Sequence, residues 1–341
     1  MAITNAAATP LTKQPLAGIA STLVIIAISL GFISLFDAPT LTGWIAYYLM
    51  WTIPVTLVVG VIWAGNYPAF VARRRQPLRG FMLLATALAV GFTIATTHLI
   101  VVGEGVHPPV QNAIVSVVVA LWMTIVWDGW PFTLVPSALL TGVGLLVGYY
   151  VVAQVVFHTF AGMFDAPNVV GFCVTAAAIM FLTLHFDLWP LGRRPTLMRQ
   201  PVLGLVWTAI ALALGGLLYL VCSRALGMAP PVVLTTMSIP FIFGSIVVLN
   251  MFGGSLFGRL PQPVKGAASA VTAAVIGTVL SLVYGSLTPV LAGPVQPGPP
   301  EFAFEIWLAS ALLAVTFPFL DYHAHLFDMW PFAHRQREET R

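Results

Sequence analysis

Val126-Trp127-Asp128-Gly129-Trp130-Pro131-Phe132 closes a long apolar run. Its ending returns as His185-Phe186-Asp187-Leu188-Trp189-Pro190-Leu191 and as Leu326-Phe327-Asp328-Met329-Trp330-Pro331-Phe332. Each copy combines an acid, an interfacial aromatic and a helix breaker. Proline cannot continue the helical hydrogen-bond ladder, so it stops the run. Tryptophan favours the membrane–water interface. Aspartate then sits at the water boundary, where it can cap the next turn. The corresponding place holds Asn66 near Tyr67-Pro68 and Gly253 near Phe257. The element reads as the end of a membrane span.

Composition agrees. The chain has 341 residues, 59% hydrophobic and 7% charged, against roughly 25% charged in an average soluble domain. A water-facing surface cannot be made from it. The runs are continuous and do not alternate as in an outer-membrane barrel. The expectation is therefore an all-α integral membrane protein with ten spans, near 16–37, 42–64, 79–102, 109–127, 134–158, 168–188, 202–224, 231–255, 265–291 and 303–327. Cys173 and Cys222 both fall in apolar runs and form no disulfide framework. No cleavable leader is expected, and the first span would act as the insertion signal.

Thirteen of the 14 basic residues fall on one side of this scheme, in the clusters around Lys13, Arg73–Arg79, Arg193–Arg199, Arg259–Lys265 and Arg335–Arg341; Arg224 lies opposite. The positive-inside rule then puts both termini in the cytoplasm of a multi-pass inner-membrane protein. The formal charge of +3 reflects that topology, so no nucleic-acid partner is expected. The partners expected are the lipid bilayer and a small solute.

The WPF-like endings belong to a longer period. Gln14-Pro15, Gln76-Pro77, Gln200-Pro201 and Gln262-Pro263 precede spans one, three, seven and nine, and Val135-Pro136 precedes span five. These prolines lie 62, 59, 65 and 62 residues apart. A fixed period marks a repeated supersecondary unit, here a helical hairpin. The hairpins run about 15–70, 77–132, 136–191, 201–257 and 263–332, with tails 1–14 and 333–341. Fourteen residues after each proline come Ser29, Gly91, Tyr150, Gly215 and Gly277. Small residues let helix backbones approach, so the odd spans are expected inside and the even spans outside.

Five hairpins about one axis is a plan similar to that of the tellurite-resistance/dicarboxylate transporter family, which includes the plant slow-anion channels. The resemblance lies in hairpin count, period and the proline before each odd helix. The family's kinking prolines in the inner helices and its gating phenylalanine have no counterpart here, and no residue role is carried over.

Two groups of polar residues stand out. Asp321, His325 and Asp328 are spaced to share one helix face, with His323 nearby and His185 beside Asp187. Ionisable groups in or near spans are costly and mark pathways, partners or water. Asp321, His325, Asp328, His185, Asp187 and Asp128 are thus ion or substrate pathway candidates, against the plainer role of capping span ends. The second group is His98, His158 and Cys222, expected at one depth, with Glu104 and His107 close by. Imidazole and thiolate ligate zinc, copper or iron, and paired histidines can hold haem; the plainer reading is boundary residues reaching water. There is no P-loop, no GxGxxG after a strand, no HExxH and no GxSxG.

The function expected first is a permease or channel for a small neutral or weakly charged solute, without enzyme activity or cofactor. The alternatives are a membrane redox, metal- or haem-binding protein or a membrane subunit of an enzyme complex, and an enzyme using Asp321 and His325 as an acid/base pair on a lipid-soluble substrate.

Overall fold

The computed structural model describes residues 14–102, 108–253 and 255–332. They are all-helical, with no strand among them. Among the described residues nine helices are long and apolar enough to cross a membrane: α1 (Leu16–Ile33), α2 (Ala38–Ile62), α3 (Leu78–Val102), α5 (Ala138–Phe164), α6 (Ala166–His185), α7 (Val202–Ala225), α8 (Pro230–Met251), α9 (Val264–Leu291) and α10 (Ala303–Leu326). The run expected as the fourth span is a shorter apolar helix, α4 (Val110–Val126). The tails and the loop holding Glu104 and His107 lie outside the described residues.

Local chemistry sets the helix starts. Asp37 and Asp165, each two residues before a proline, accept backbone N–H bonds from Thr40 and Asn168, both at 2.8 Å, as an N-cap should. The bonds from Thr40 hold the Asp37 carboxyl below its ordinary range. Prolines open α4 and α8, where a missing N–H costs nothing.

The even-numbered helices form the interior, and the expected odd-inside arrangement is reversed. In α2, α6, α8 and α10, 67–72% of the most apolar window is buried, against 22–44% in α1, α3, α5, α7 and α9. Each even helix contacts the next, α2 to α4, α6, α8 and α10, and α10 returns to α2. Each odd helix lies outside, over the seam between two of them. For example, α3 packs on α10 and α2, and α9 on α6 and α8. The small residues do mark close approach, but to one inner helix and not to an axis. A Cβ on Gly91 would lie 2.8 Å from Thr52 Cα, and one on Gly215 would lie 2.6 Å from Ala176 Cα. The faces beyond that single stripe carry exposed Leu23, Val90, Val147, Leu217 and Val279, as lipid contact requires.

One contact recurs at five places. Gly18, Gly80, Gly142, Gly204 and Gly266, near the starts of the odd helices, lie against the rings of Phe252, Phe327, Trp63, Trp127 and Phe186 at the ends of α8, α10, α2, α4 and α6. At four of these places a glutamine ties both partners. Gln14, Gln76, Gln200 and Gln262 donate to the carbonyls of Met251, Leu326, Val126 and His185. Their Oε1 atoms accept the N–H of the same four glycines. This satisfies otherwise orphaned groups at a helix start and a helix end together. At the fifth, Trp63 Nε1 donates to Ala138 O at 2.6 Å.

The inner helices are irregular. π-helical turns occupy Leu57–Ile62, Trp122–Val126, Val247–Met251 and Tyr322–Leu326, and three more lie earlier in their helices, Leu41–Ile45, Leu234–Ser238 and Ser310–Thr316, the last two preceding Pro240 and Pro318. A proline removes a backbone donor and crowds the preceding turn; the wider π turn accommodates it.

Candidate functional site

The WPF elements share one backbone turn. Asp128, Asp187 and Asp328 have φ near 50°, and Gly253 has φ 57°. In the first element that conformation belongs to Ala64, φ 47°, followed by Gly65, φ 64°. The counterpart of the aspartates is therefore Ala64, with Asn66 an added residue. Left-handed backbone is disfavoured for most side chains and least so for Asp, Asn and Gly, which explains the residue choice.

Two of the three aspartates bind the start of an outer helix. Asp328 Oδ2 lies 2.8 Å from Arg79 Nη1, and Arg79 Nη2 also donates to Gly65 O at 3.2 Å. Asp187 Oδ2 lies 2.7 Å from Lys265 Nζ and accepts from Gln262 at 2.9 Å. Arg79 and Lys265 each stand two residues after the helix-opening proline. Where α7 opens, over Asp128, that position is Leu203, and where α1 opens, over Gly253, it is Ala17. Asp128 is exposed. Asp187 and Asp328 are thus latches between helix ends.

Burial works against the Asp187 charge, but the bonds from Lys265 and Gln262 and the lysine charge outweigh it and hold the carboxyl below its usual range. A lowered folded-state value adds stability above the unfolded value, and that contribution is lost as pH falls through the folded one. Asp187→Asn is therefore expected to lower thermal stability at neutral pH and to lower it less at acid pH, where the carboxyl becomes protonated. The side chain is 58% exposed, so after solvent screening the loss is at most about 1 kcal/mol. Melting curves of both proteins at the two pH values check this.

His185 is buried and satisfied on both ring nitrogens, Nδ1 to Ser269 Oγ at 2.7 Å and Nε2 to Ser245 Oγ at 3.0 Å. It cross-links α6, α8 and α9 and has no free nitrogen to offer a solute. The expected Asp321–His325–Asp328 face is only partly assembled. His325 Nε2 lies 3.5 Å from Asp321 Oδ1, while Asp328 turns to Arg79. The π turn Tyr322–Leu326 and the left-handed exit at Asp328 break the α-helical register that the spacing assumed.

His98, His158 and Cys222 do not gather. His98 Nδ1 bonds Tyr150 Oη at 3.1 Å, within a ring cluster with Tyr47 and Trp51. His158 is exposed beside Phe157. Cys222 lies in a separate apolar cluster with Tyr219 and Val233, its sulfur 3.3 Å from that of Met237. Among the described residues no three His, Cys, Asp or Glu side chains are placed to hold a metal ion.

The feature that sequence reasoning missed is a cavity of about 870 Å³ at the end where the inner helices begin. All five line it: Thr42 and Met50 of α2, Asn112 and Ile114 of α4, Val170 and Val174 of α6, Leu234 and Ile239 of α8, Ser310 and Leu313 of α10. Outside them, Phe157 and His158 of α5 complete the wall. The surface is mainly apolar with a few fixed polar groups. Asn112 is 1% exposed and exchanges two hydrogen bonds with Gln154. Glu305 is 8% exposed and accepts from Gly298 N. No lysine or arginine is among the lining residues. The one sequence signal for this cavity was the Pro-rich start of each even helix, which sets five helix ends at one level. No protein family, curated protein or solved structure matches the chain.

Proposed function

We propose that the protein is a multi-pass inner-membrane permease or channel for a small neutral or weakly charged solute, with both termini cytoplasmic. Its pathway follows the axis of the even-numbered helices. The observation that carries this is the cavity walled by all five inner helices, because a concave, mostly apolar site with a few convergent polar groups is the usual form of a small-molecule site. Its lack of basic side chains argues against strong anion binding. The chain is organised as five hairpins, about 15–70, 77–132, 136–191, 201–257 and 263–332. The support for that is the five recurring glycine–aromatic contacts and the order in which they close. The clustering of basic residues at the opposite ends of the helices supports a periplasmic position for the cavity, and the exposed Leu and Val of the outer helices support the lipid bilayer as their partner.

Proteoliposomes test the function with a panel of small neutral, weakly acidic and weakly basic solutes. In a protein with Cys173 and Cys222 replaced by serine, Leu313→Cys should react with a membrane-impermeant thiol reagent from the periplasmic side. Labelling should then cut solute flux by about tenfold, since the adduct fills the axis. No flux for any solute, or flux indifferent to labelling at residue 313, defeats the proposal.

A further inference from the structure

The cavity ends near Leu313, and α10 continues eight residues further to Asp321, about 12 Å at the α-helical rise. Asp321 is 4% exposed. One of its oxygens faces His325 at 3.5 Å, and the other, Oδ2, is buried without a partner. The His325 side chain is 20% exposed against 6% for that of Asp321, so the imidazole stands between the buried carboxyl and the surface. His323, one residue before Ala324, is also buried, with Nε2 unpartnered. Tyr322, between them in sequence, bonds Thr52 of α2.

The surroundings supply little other charge. The helices α1, α2 and α8, which pack against α10, carry no Asp, Glu, Lys, Arg or His. On α3 the candidates are Arg79, engaged by Asp328, and His98, bonded to Tyr150. On α9 the lysine is Lys265, engaged by Asp187. A carboxyl within a span and remote from other cations is costly as a bare charge. Its resolution is a proton or a cation. A hard cation such as sodium or calcium needs several oxygen ligands, and among the described residues no three His, Cys, Asp or Glu side chains gather for a transition metal. Here the neighbour is an imidazole nitrogen, which can accept and donate a proton.

We propose that Asp321 and His325 form a buried proton-binding pair on the inner helix α10, loaded from the cytoplasmic end and set beyond the floor of the solute cavity. The His325 ring takes a proton on Nδ1 from a hydronium ion at the cytoplasmic end, leaving water, and passes the proton on Nε2 to Oδ1 of the Asp321 carboxylate, the ring ending neutral in its other tautomer; release runs in reverse. The pair gains or loses one proton, and no other bond changes. If the transport function holds, this pair makes the solute pathway proton-linked; the proton-binding claim itself does not need a solute.

Infrared difference spectroscopy of the protein in lipid, between acidic and alkaline pH, reads this directly. A titrating carboxyl C=O band that shifts in heavy water is expected in the wild type and absent in Asp321→Asn. In His325→Gln the band should persist with its midpoint moved by about one pH unit or more, a tenfold change in proton affinity. Asp321→Glu keeps a carboxyl and should keep a band at a different frequency, which guards against a folding failure of the amide variant. An unchanged band in Asp321→Asn, or an unmoved midpoint in His325→Gln, overturns the proposal. A band that behaves as expected in a protein without solute flux would sink only the transport function.

Discussion

Gly277→Val and Gly244→Val are each expected to destabilise the protein by about 3 kcal/mol or more, the upper end of overpacking costs. A Cβ on Gly277 would overlap the carbonyl of Pro240, and one on Gly244 would overlap the carbonyl of Ala273. The two glycines therefore let the backbones of α8 and α9 touch. Most overpacked sites recover by turning a side chain. Here the atoms in the way are main chain of two closely packed helices, the inner one already carrying Pro240 and the π turn Leu234–Ser238. Relief requires moving a whole helix, which would open the seam to α6 that α9 also covers. The measurement is the fraction of monodisperse protein after a temperature ramp in detergent. A fall in midpoint of about 6 °C or more is expected, from roughly 2–4 °C per kcal/mol. Gly31→Ala is the control, since a Cβ there meets nothing within 4 Å and alanine is the better helix residue. Wild-type stability in either valine variant would show that the contact between α8 and α9 is not as described.

The second large effect is expected at Arg79. Its side chain is 7% exposed, holds Asp328, and donates to Gly65 O. Arg79→Ala leaves the partly buried carboxylate with only the 3.4 Å bond from Gln76 Nε2 and a backbone carbonyl without its donor. Breaking a fully buried pair costs about 3–5 kcal/mol. Asp328 is 28% exposed, so about 1–3 kcal/mol is expected once water is allowed to reach it. The chain supplies its own comparison. Where α1 opens over the end of α8, Ala17 and Gly253 occupy the two positions and no charge is present. The double variant Arg79→Ala with Asp328→Gly copies that solution and should be more stable than Arg79→Ala alone. Glycine also suits the left-handed backbone at position 328. If the double variant is less stable than the wild type by the sum of the losses of the two single variants, the two residues do not act as a pair.

Much of the fold was legible because it rests on local rules. Continuous apolar runs, Trp-Pro endings and Gln-Pro openings gave the helices, since a span must be long, apolar and ended by a breaker. The layer was misassigned for an identifiable reason. Gly91, Gly215 and Gly277 say that a close contact exists, and a sequence does not say with what. A single small-residue stripe on an otherwise Val- and Leu-covered helix fits an outer position as well as an inner one. The better signal was the polar and proline content of the even spans. Thr52, Thr56, Asn112, Ser116, Thr175, Ser238, Ser245 and Asp321 are all buried, and lipid would not have accepted them.

The candidate residues divide in the same way. The helix-end position of Asp187 and Asp328 was legible, but in place of the expected cap the structure shows latches to Lys265 and Arg79. His185 looked exceptional in sequence because its serine partners lie 60 and 84 residues away. His98, His158 and Cys222 shared a counted depth but sit in different surroundings, because equal depth leaves the angle about the axis undefined. Asp321 and His325 stayed together because they are one helical turn apart, while the π turn removed Asp328.

The sequence by itself determined that this chain is helical, apolar and regularly punctuated, since hydropathy and helix breakers act through neighbours in the chain. Tertiary structure alone decided that the even helices line the interior, that their N-terminal halves wall one cavity, and that α10 carries a buried carboxyl–imidazole pair below it. Those facts depend on which helix faces which across long loops of sequence, and that is settled by the fit of glycine to ring and glutamine to carbonyl between distant segments.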